Sequence, residues 1–330
     1  MSHVGIDEIE AARDRIGGLI RRTPVEPSAY LTKATGQPVF LKFEHHQFTG
    51  SFKMRGATNA VEQLSEGERA RGVTGASTGN HGRALAFAAR RAGVRCVICM
   101  SALVPKNKVE AIASEGAEIR IVGRSQDDAQ EEVDRLVREE GMVMVPPFDD
   151  ARVIAGQGTL GLELLEDVPD LKVALVQLSG GGLISGVAAA LKARRPDIRV
   201  IGITMSRGAA MHASLGAGKP VSVEELPTLA DSLGGGIGLG NRYTFEMVRA
   251  LVDEVVLLSE EEIADGVRHA YRHERQVVEG GGVVGLSALL HGHVRPDGPV
   301  ATILTGASID MGLHYRLISG EHVDLMQDAG

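Results

Sequence analysis

The chain has 330 residues, 43% of them hydrophobic and 24% charged, which suits a globular protein burying one or two sizeable cores. A formal net charge of −8, with no block of lysines and arginines, argues against nucleic acid or an anionic membrane as the main partner. No apolar stretch is long enough to cross a bilayer, and Met1 to Glu8 has neither a basic nor an apolar leader region, so a cytoplasmic location is expected.

Taken in chain order, residues 7–20 predict an amphipathic helix with Ile9, Ala12, Ile16, Leu19 and Ile20 on one face, ended by Arg22-Thr23-Pro24. Residues 38–43 read as a strand and, after the Gly50 turn, 52–64 as a helix. Alternation follows, with strands at 73–76, 94–100 and 118–122 and helices at 82–91, 107–115 and 127–140. Beyond Pro146-Pro147 it resumes, with strands at 173–178, 200–203 and 300–304 and helices at 159–166, 183–193, 245–251, 260–273 and 283–291. Strand and helix repeated this often predict an α/β protein whose parallel sheets are covered on both faces. One such sheet would be unusually wide. The expectation is therefore a large lobe of residues 1–71 and 150–330 with a smaller lobe, 72–149, inserted into it.

The two cysteines form Cys96-Val97-Ile98-Cys99, a spacing that on a loop would suggest redox or metal chemistry. On an apolar strand, residues three apart point to opposite faces, so the pair reads as core hydrophobes. His269 and His273, four apart on a helix, have a spacing able to bind zinc, but Arg268, Arg272 and Arg275 suggest a solvated cationic face with no third ligand.

Four segments carry chemistry. In Gly50-Ser51-Phe52-Lys53-Met54-Arg55-Gly56, Lys53 lies at a helix start, where the macrodipole disfavours an ammonium. That field, with burial beside Phe52, favours a neutral amine or an imine, although by itself the segment fits a surface lysine equally well. Ala76-Ser77-Thr78-Gly79-Asn80-His81-Gly82 offers hydroxyls and backbone amides at a helix start, a site for a carboxylate or phosphate, or simply a capped turn. Gln177-Leu178-Ser179-Gly180-Gly181-Gly182-Leu183 lets several amides converge on one anion. Its rival is a dinucleotide fingerprint, Gly180-x-Gly182-x-x-x-Gly186. The strand after it ends in Thr204-Met205 with no acid for a ribose, and Arg207 alone leaves open an NADP-binding reductase or sensor. A Walker A loop is excluded, since Gly218-Lys219 runs into Pro220. Finally, Leu304-Thr305-Gly306-Ala307-Ser308 places a hydroxyl after a strand, as a ring-nitrogen partner or a helix cap.

In order and spacing, these four segments resemble the fold-type II pyridoxal-phosphate (PLP) enzymes of the threonine/serine dehydratase and serine racemase branch, from about Ile9 to Gly320. Glu44 to Ala57 is similar to that family's E-x-x-x-x-T-G-S-F-K-x-R-G-A pattern almost without departure. The resemblance implies a tryptophan synthase β-like fold and a homodimer. It implies that Lys53 holds PLP as a Schiff base and removes the Cα proton, with Phe52 beside the ring. Asn80 would meet the cofactor's 3′-oxygen, while Ser77, Thr78 and the amides of Asn80 and His81 would hold the substrate carboxylate. Gly180, Gly181, Gly182 and Leu183 would form the phosphate cup, Thr305 would face the pyridine nitrogen, and Glu279 would lie at the cofactor edge. A neutral hydroxyl at the ring nitrogen favours β-elimination over transamination.

The implied activity is dehydration of a β-hydroxy α-amino acid to a 2-oxo acid and ammonia. Racemisation is the alternative, with Thr78 where racemases carry a serine opposite the lysine. The branch's divalent-metal site needs acids after residue 203, and Thr204 to Ala210 supplies none, so no such metal is expected. Thr204 to Met211 together with Asp231 to Gly238 resembles the hydroxyectoine-utilisation dehydratase subgroup. The chain ends soon after this core, without the effector-binding domain of biosynthetic threonine dehydratases, so feedback by an end-product amino acid is not expected.

Overall fold

The computed structural model describes residues 3–77, 79–104 and 106–328. Among the described residues, ten strands form two sheets. The larger contains β1 (Val25–Pro27), β2 (Val39–Lys42), β7 (Val173–Gln177), β8 (Arg199–Met205), β9 (Glu254–Leu258) and β10 (Val300–Ile303) in the order β1-β2-β10-β7-β8-β9. Only the short edge strand β1 is antiparallel to its neighbour. The smaller contains β3 (Val73–Ala76), β4 (Cys96–Met100), β5 (Glu118–Ile121) and β6 (Val143–Met144) in the order β5-β4-β3-β6, all parallel.

Alternation along the central strands divides each core between two faces. On β7, Val173 and Leu175 join one hydrophobic cluster while Ala174 and Val176 join the other. The same rule settles the cysteines: both are free and buried, Cys96 on one face of β4 with Ile98 and Met100, Cys99 on the opposite face with Val133 and Leu136. Among the described residues no helix is long and apolar enough to cross a membrane.

Helix starts depart from the sequence expectation where glycines depress helix propensity. The helix expected at 159–166 begins at Ala151, with the Asp150 carboxylate accepting from the amides of Arg152 and Val153. Gly156, Gly158 and Gly161 conceal its first half, and they serve close packing: a Cβ on Gly156 would lie 2.6 Å from the Arg55 carbonyl oxygen. The helix expected from 283 begins at Gly280, where a Cβ would collide with the backbone of Leu229. His269 is a correction of another kind. It is buried, with its ring 4.6 Å from that of Tyr30 and Nε2 3.1 Å from Glu274, because this face of its helix packs inward.

Candidate active site

Lys53 opens the helix Lys53–Glu62, which packs on the Ala151–Asp167 helix and on the Asn80–Ala92 helix beside the small sheet. Its start is tied to the end of β10: Phe52 donates its amide to the Thr305 carbonyl at 3.0 Å, and Ser51 bridges Gly306. The Lys53 Nζ donates to the Pro147 carbonyl at 2.7 Å, 5.3 Å from the Phe52 ring centroid. Burial pushes this amine down to about 8, opposed by the negative charge of Glu279.

Glu279 precedes the Gly280–Leu290 helix and is buried. Its carboxylate accepts from Asn80 Nδ2 at 2.9 and 3.1 Å, from the Ser232 hydroxyl at 2.7 Å and from the Ser308 amide at 2.8 Å. Burial, and then the charge of Asp231, raise its pKa above the ordinary carboxylate range, against the pull of those donors. The other end of the Asn80 amide accepts from the Ser308 hydroxyl at 2.6 Å. Asn80 is thus oriented from both sides.

Ser77 and His81 flank that asparagine. The Ser77 Oγ accepts from the Gly82 amide at 3.0 Å, so this hydroxyl caps the helix start. His81 Nε2 lies 2.8 Å from the Val145 carbonyl, which can only accept, so Nε2 carries the proton and Nδ1 remains an acceptor. Burial, with a smaller contribution from the positive charge of Lys53, pushes this imidazole down to about 3. Thr78 lies outside the described residues.

The glycine turn begins the 13-residue helix Gly182–Arg194, in which Leu183 is buried. Gly181 has φ +90°, a conformation that favours glycine, and among the described residues no side chain caps this helix start. The helix therefore directs uncompensated amides and the positive end of its dipole outward from the turn. Phe148 packs on this turn so closely that a Cβ on Gly182 would lie 2.9 Å from its backbone. Thr305, just beyond the end of β10, is only 3% exposed, and its carbonyl accepts from the Phe52 amide at the start of the lysine helix.

A lysine amine with a lowered pKa, an uncapped glycine turn for a phosphate and the buried Thr305, whose hydroxyl could face a ring nitrogen, form a donor set that fits PLP. No group of three or more His, Cys, Asp or Glu side chains among the described residues is arranged to hold a metal ion.

Sequence reasoning missed the segment 145–150 as part of this site. Its carbonyls hold His81 and Lys53, Phe148 covers the glycine turn, and Asp149 accepts from the amides of Arg242, Tyr243 and Thr244 at 2.6–3.0 Å. The only signal was Pro146-Pro147, which reads as a boundary. Ser232 was also missed, since nothing local ties it to Glu279.

Comparison with known proteins gives a concordant result. Residues 16–306 match the family model described as pyridoxal-phosphate dependent enzyme. The chain is 60% identical to the "Putative threonine dehydratase" of Sinorhizobium fredii over 97% of both chains. It is 40% identical to the L-threonine ammonia-lyase of Thermotoga maritima, over 96% of this chain and 78% of that protein. Among solved structures, maize serine racemase superposes with a TM-score of 0.90 at 33% identity, covering 96% of this chain and 98% of the other.

Proposed function

The chain belongs to the pyridoxal-phosphate dependent enzymes, and from that membership we propose that it dehydrates a β-hydroxy α-amino acid through a site built around Lys53. The observation that carries the reading is the Lys53 amine, depressed to about 8, donating to the Pro147 carbonyl and lying within the field of the Glu279 charge. An amine poised near neutrality can hold a proton in one step and release it in another. The uncapped Gly180–Gly182 turn and the Leu183 amide would bind the cofactor's phosphate, and Thr305 would take its ring nitrogen. Phe52 would pack beside the ring, and Asn80, oriented by Glu279 and Ser308, would meet the 3′-oxygen. When bound, PLP supplies the carbonyl for the substrate's amine and an electron-withdrawing ring that acidifies the α-carbon.

The remaining steps fall to the chain's own groups. The Asn80 and His81 amides, with Ser77 and Thr78, bind the substrate carboxylate. Lys53 Nζ takes the Cα proton, and Pro147 accepts a hydrogen bond from the ammonium so formed. Loss of hydroxide from Cβ completes the elimination, and hydrolysis of the enamine gives a 2-oxo acid and ammonia. A neutral hydroxyl at Thr305, unlike a carboxylate, would not force the ring nitrogen to be protonated, which favours this outcome over transamination. Residues 72–149 form a small mobile lobe carrying the carboxylate loop, and the enzyme works as a cytoplasmic homodimer. Its substrate is a hydroxylated amino acid of hydroxyectoine breakdown, a reading supported by the segments 204–211 and 231–238.

Lys53→Ala is expected to abolish both the visible Schiff-base absorbance and ammonia release, and retention of both would falsify the assignment. Racemisation is the second reading, favoured by the likeness to maize serine racemase. A D-isomer accumulating from an L-substrate would support it; oxo acid alone would reject it. Assay across threonine, serine, hydroxyaspartate and hydroxylated diaminobutyrate identifies the substrate.

A further inference from the structure

Behind the lysine helix, on the side away from Lys53, lies a group of buried charges that the reaction as described does not use. Lys53 and Arg55 are two residues apart, about 200° around a helix, so they face opposite directions. The Arg55 side chain has no exposed surface. Its Nε donates to Glu44 Oε2 at 2.9 Å, and Nη2 donates to Glu44 Oε1 at 2.8 Å and Glu163 Oε2 at 3.0 Å. Nη1 donates to Glu163 Oε1 at 2.7 Å and to the Thr159 hydroxyl at 3.1 Å. All five N–H donors of the guanidinium are taken. Lys42, also fully buried, pairs with Glu163 at 2.6 Å and donates to the Thr23 carbonyl at 2.7 Å, while the Thr23 hydroxyl donates to Glu44.

This arrangement exceeds what helix adhesion needs. The lysine helix already meets the Ala151–Asp167 helix at a glycine crossing, where a Cβ on Gly56 would lie 2.5 Å from Gln157 and one on Gly156 2.7 Å from the Gly56 Cα. Apolar side chains of the same volume would hold the helices together with less desolvation than two cations and two carboxylates. What the fork adds is direction, since two planar bidentate contacts at an angle fix both the rotation and the axial position of the first helical turn.

We propose that Arg55, held by Glu44 and Glu163, is a positioning residue that fixes where the Lys53 amine stands when it takes and returns the proton. Arg55 touches neither substrate nor cofactor. The proposal rests on Lys53 being the Schiff-base lysine and the base. It assigns the buried ion network to catalysis through geometry, where stability alone would not require it.

The test compares holoenzyme carrying Arg55→Lys, which keeps the charge and loses the fork, with Thr159→Val, which removes a single acceptor. In Arg55→Lys, kcat per bound PLP is expected to fall about ten- to a hundred-fold, the scale of a small misplacement of a reacting group. KM should change little, and the isotope effect with Cα-deuterated substrate should rise as proton removal becomes more limiting. In the cofactor-free protein, capture of PLP by Lys53 should slow as well. Thr159→Val should move the same readouts in the same direction by less, and it decides the matter if Arg55→Lys does not fold. The proposal is overturned if the variant that folds has a lowered melting temperature but wild-type kcat per bound PLP, isotope effect and capture rate. An active Lys53→Ala enzyme would instead reject the site reading itself, whatever the clamp variants do.

Discussion

At the scale of single residues, the informative groups are charges largely withdrawn from water. Lys53 has a folded-state pKa of about 8 against an ordinary 10.5, so burying its ammonium opposes folding. Below pH 8 folded and unfolded chains both hold the proton, and the folded state bears the full desolvation cost. Between pH 8 and 10.5 only the unfolded chain holds it, so this contribution to stability rises with pH across that window. Lys53→Met in cofactor-free protein should therefore gain on the order of 2 kcal/mol at pH 7, allowing for the partial exposure of the side chain. The gain should shrink toward pH 10.5, and urea denaturation at the two pH values checks it. A difference between variant and wild type independent of pH would mean that Lys53 is not buried as a cation. None of this was legible from Lys53 alone, whose local sequence fits a surface lysine equally well. The other three segments, in their order, pointed to its role, whereas its hydrogen bond to Pro147 and the influence of the Glu279 charge reach across 94 and 226 positions and leave no local pattern.

At the scale of elements, the strands were the more legible. β3, β4, β7 and β10 are short apolar runs, and burial on both faces makes such runs unmistakable between helices. β1, β6 and β9 were missed, the first two because three and two residues carry no periodicity. The glycine turn illustrates how an element's start can be functional. A Cβ on Gly181 would lie 2.9 Å from both Met211 and Thr244, at a backbone angle that L side chains rarely adopt. Gly181→Ala is therefore expected to weaken PLP binding by about tenfold or more, the equivalent of the 1–2 kcal/mol penalty for such a conformation. Gly36→Ala is the control. It has φ +73° and open space around it, at the end of a helix remote from the cofactor segments, so it should lower stability by about 1 kcal/mol and leave affinity unchanged. Titration of the cofactor-free proteins with PLP, followed by thermal melts, separates the two; equal affinities for both variants would remove the turn from the phosphate site.

At the scale of the whole molecule, two sheets with separate cores are joined by few elements. The division was visible in the sequence because too many parallel strands follow one another for one ordinary sheet. The joints were not. They include the lysine helix packed on both sides, the segment 145–150, the Arg91 guanidinium on the Gly18 and Leu19 carbonyls, and the two bonds from Asn80 to Glu279 and Ser308, spanning 199 and 228 positions. The exposed Lys108–Asp231 pair also crosses between the regions of the two sheets, but a solvated pair of this kind contributes at most about 1 kcal/mol. Asn80 is different, since its bonds are buried and end on Glu279, inside the site. If residues 72–149 move as a unit, Asn80 is where closure is registered. Hydrogen exchange in the β3, β4 and Asn80–Ala92 segments should slow when a non-reacting amino-acid analogue is added to holoenzyme. In Asn80→Ala that slowing should be largely lost even at saturating analogue, because the small lobe can no longer engage Glu279 and Ser308. Lys108→Ala should leave it intact. Protection that survives in Asn80→Ala would instead assign closure to the other joints, the lysine helix and the 145–150 segment among them.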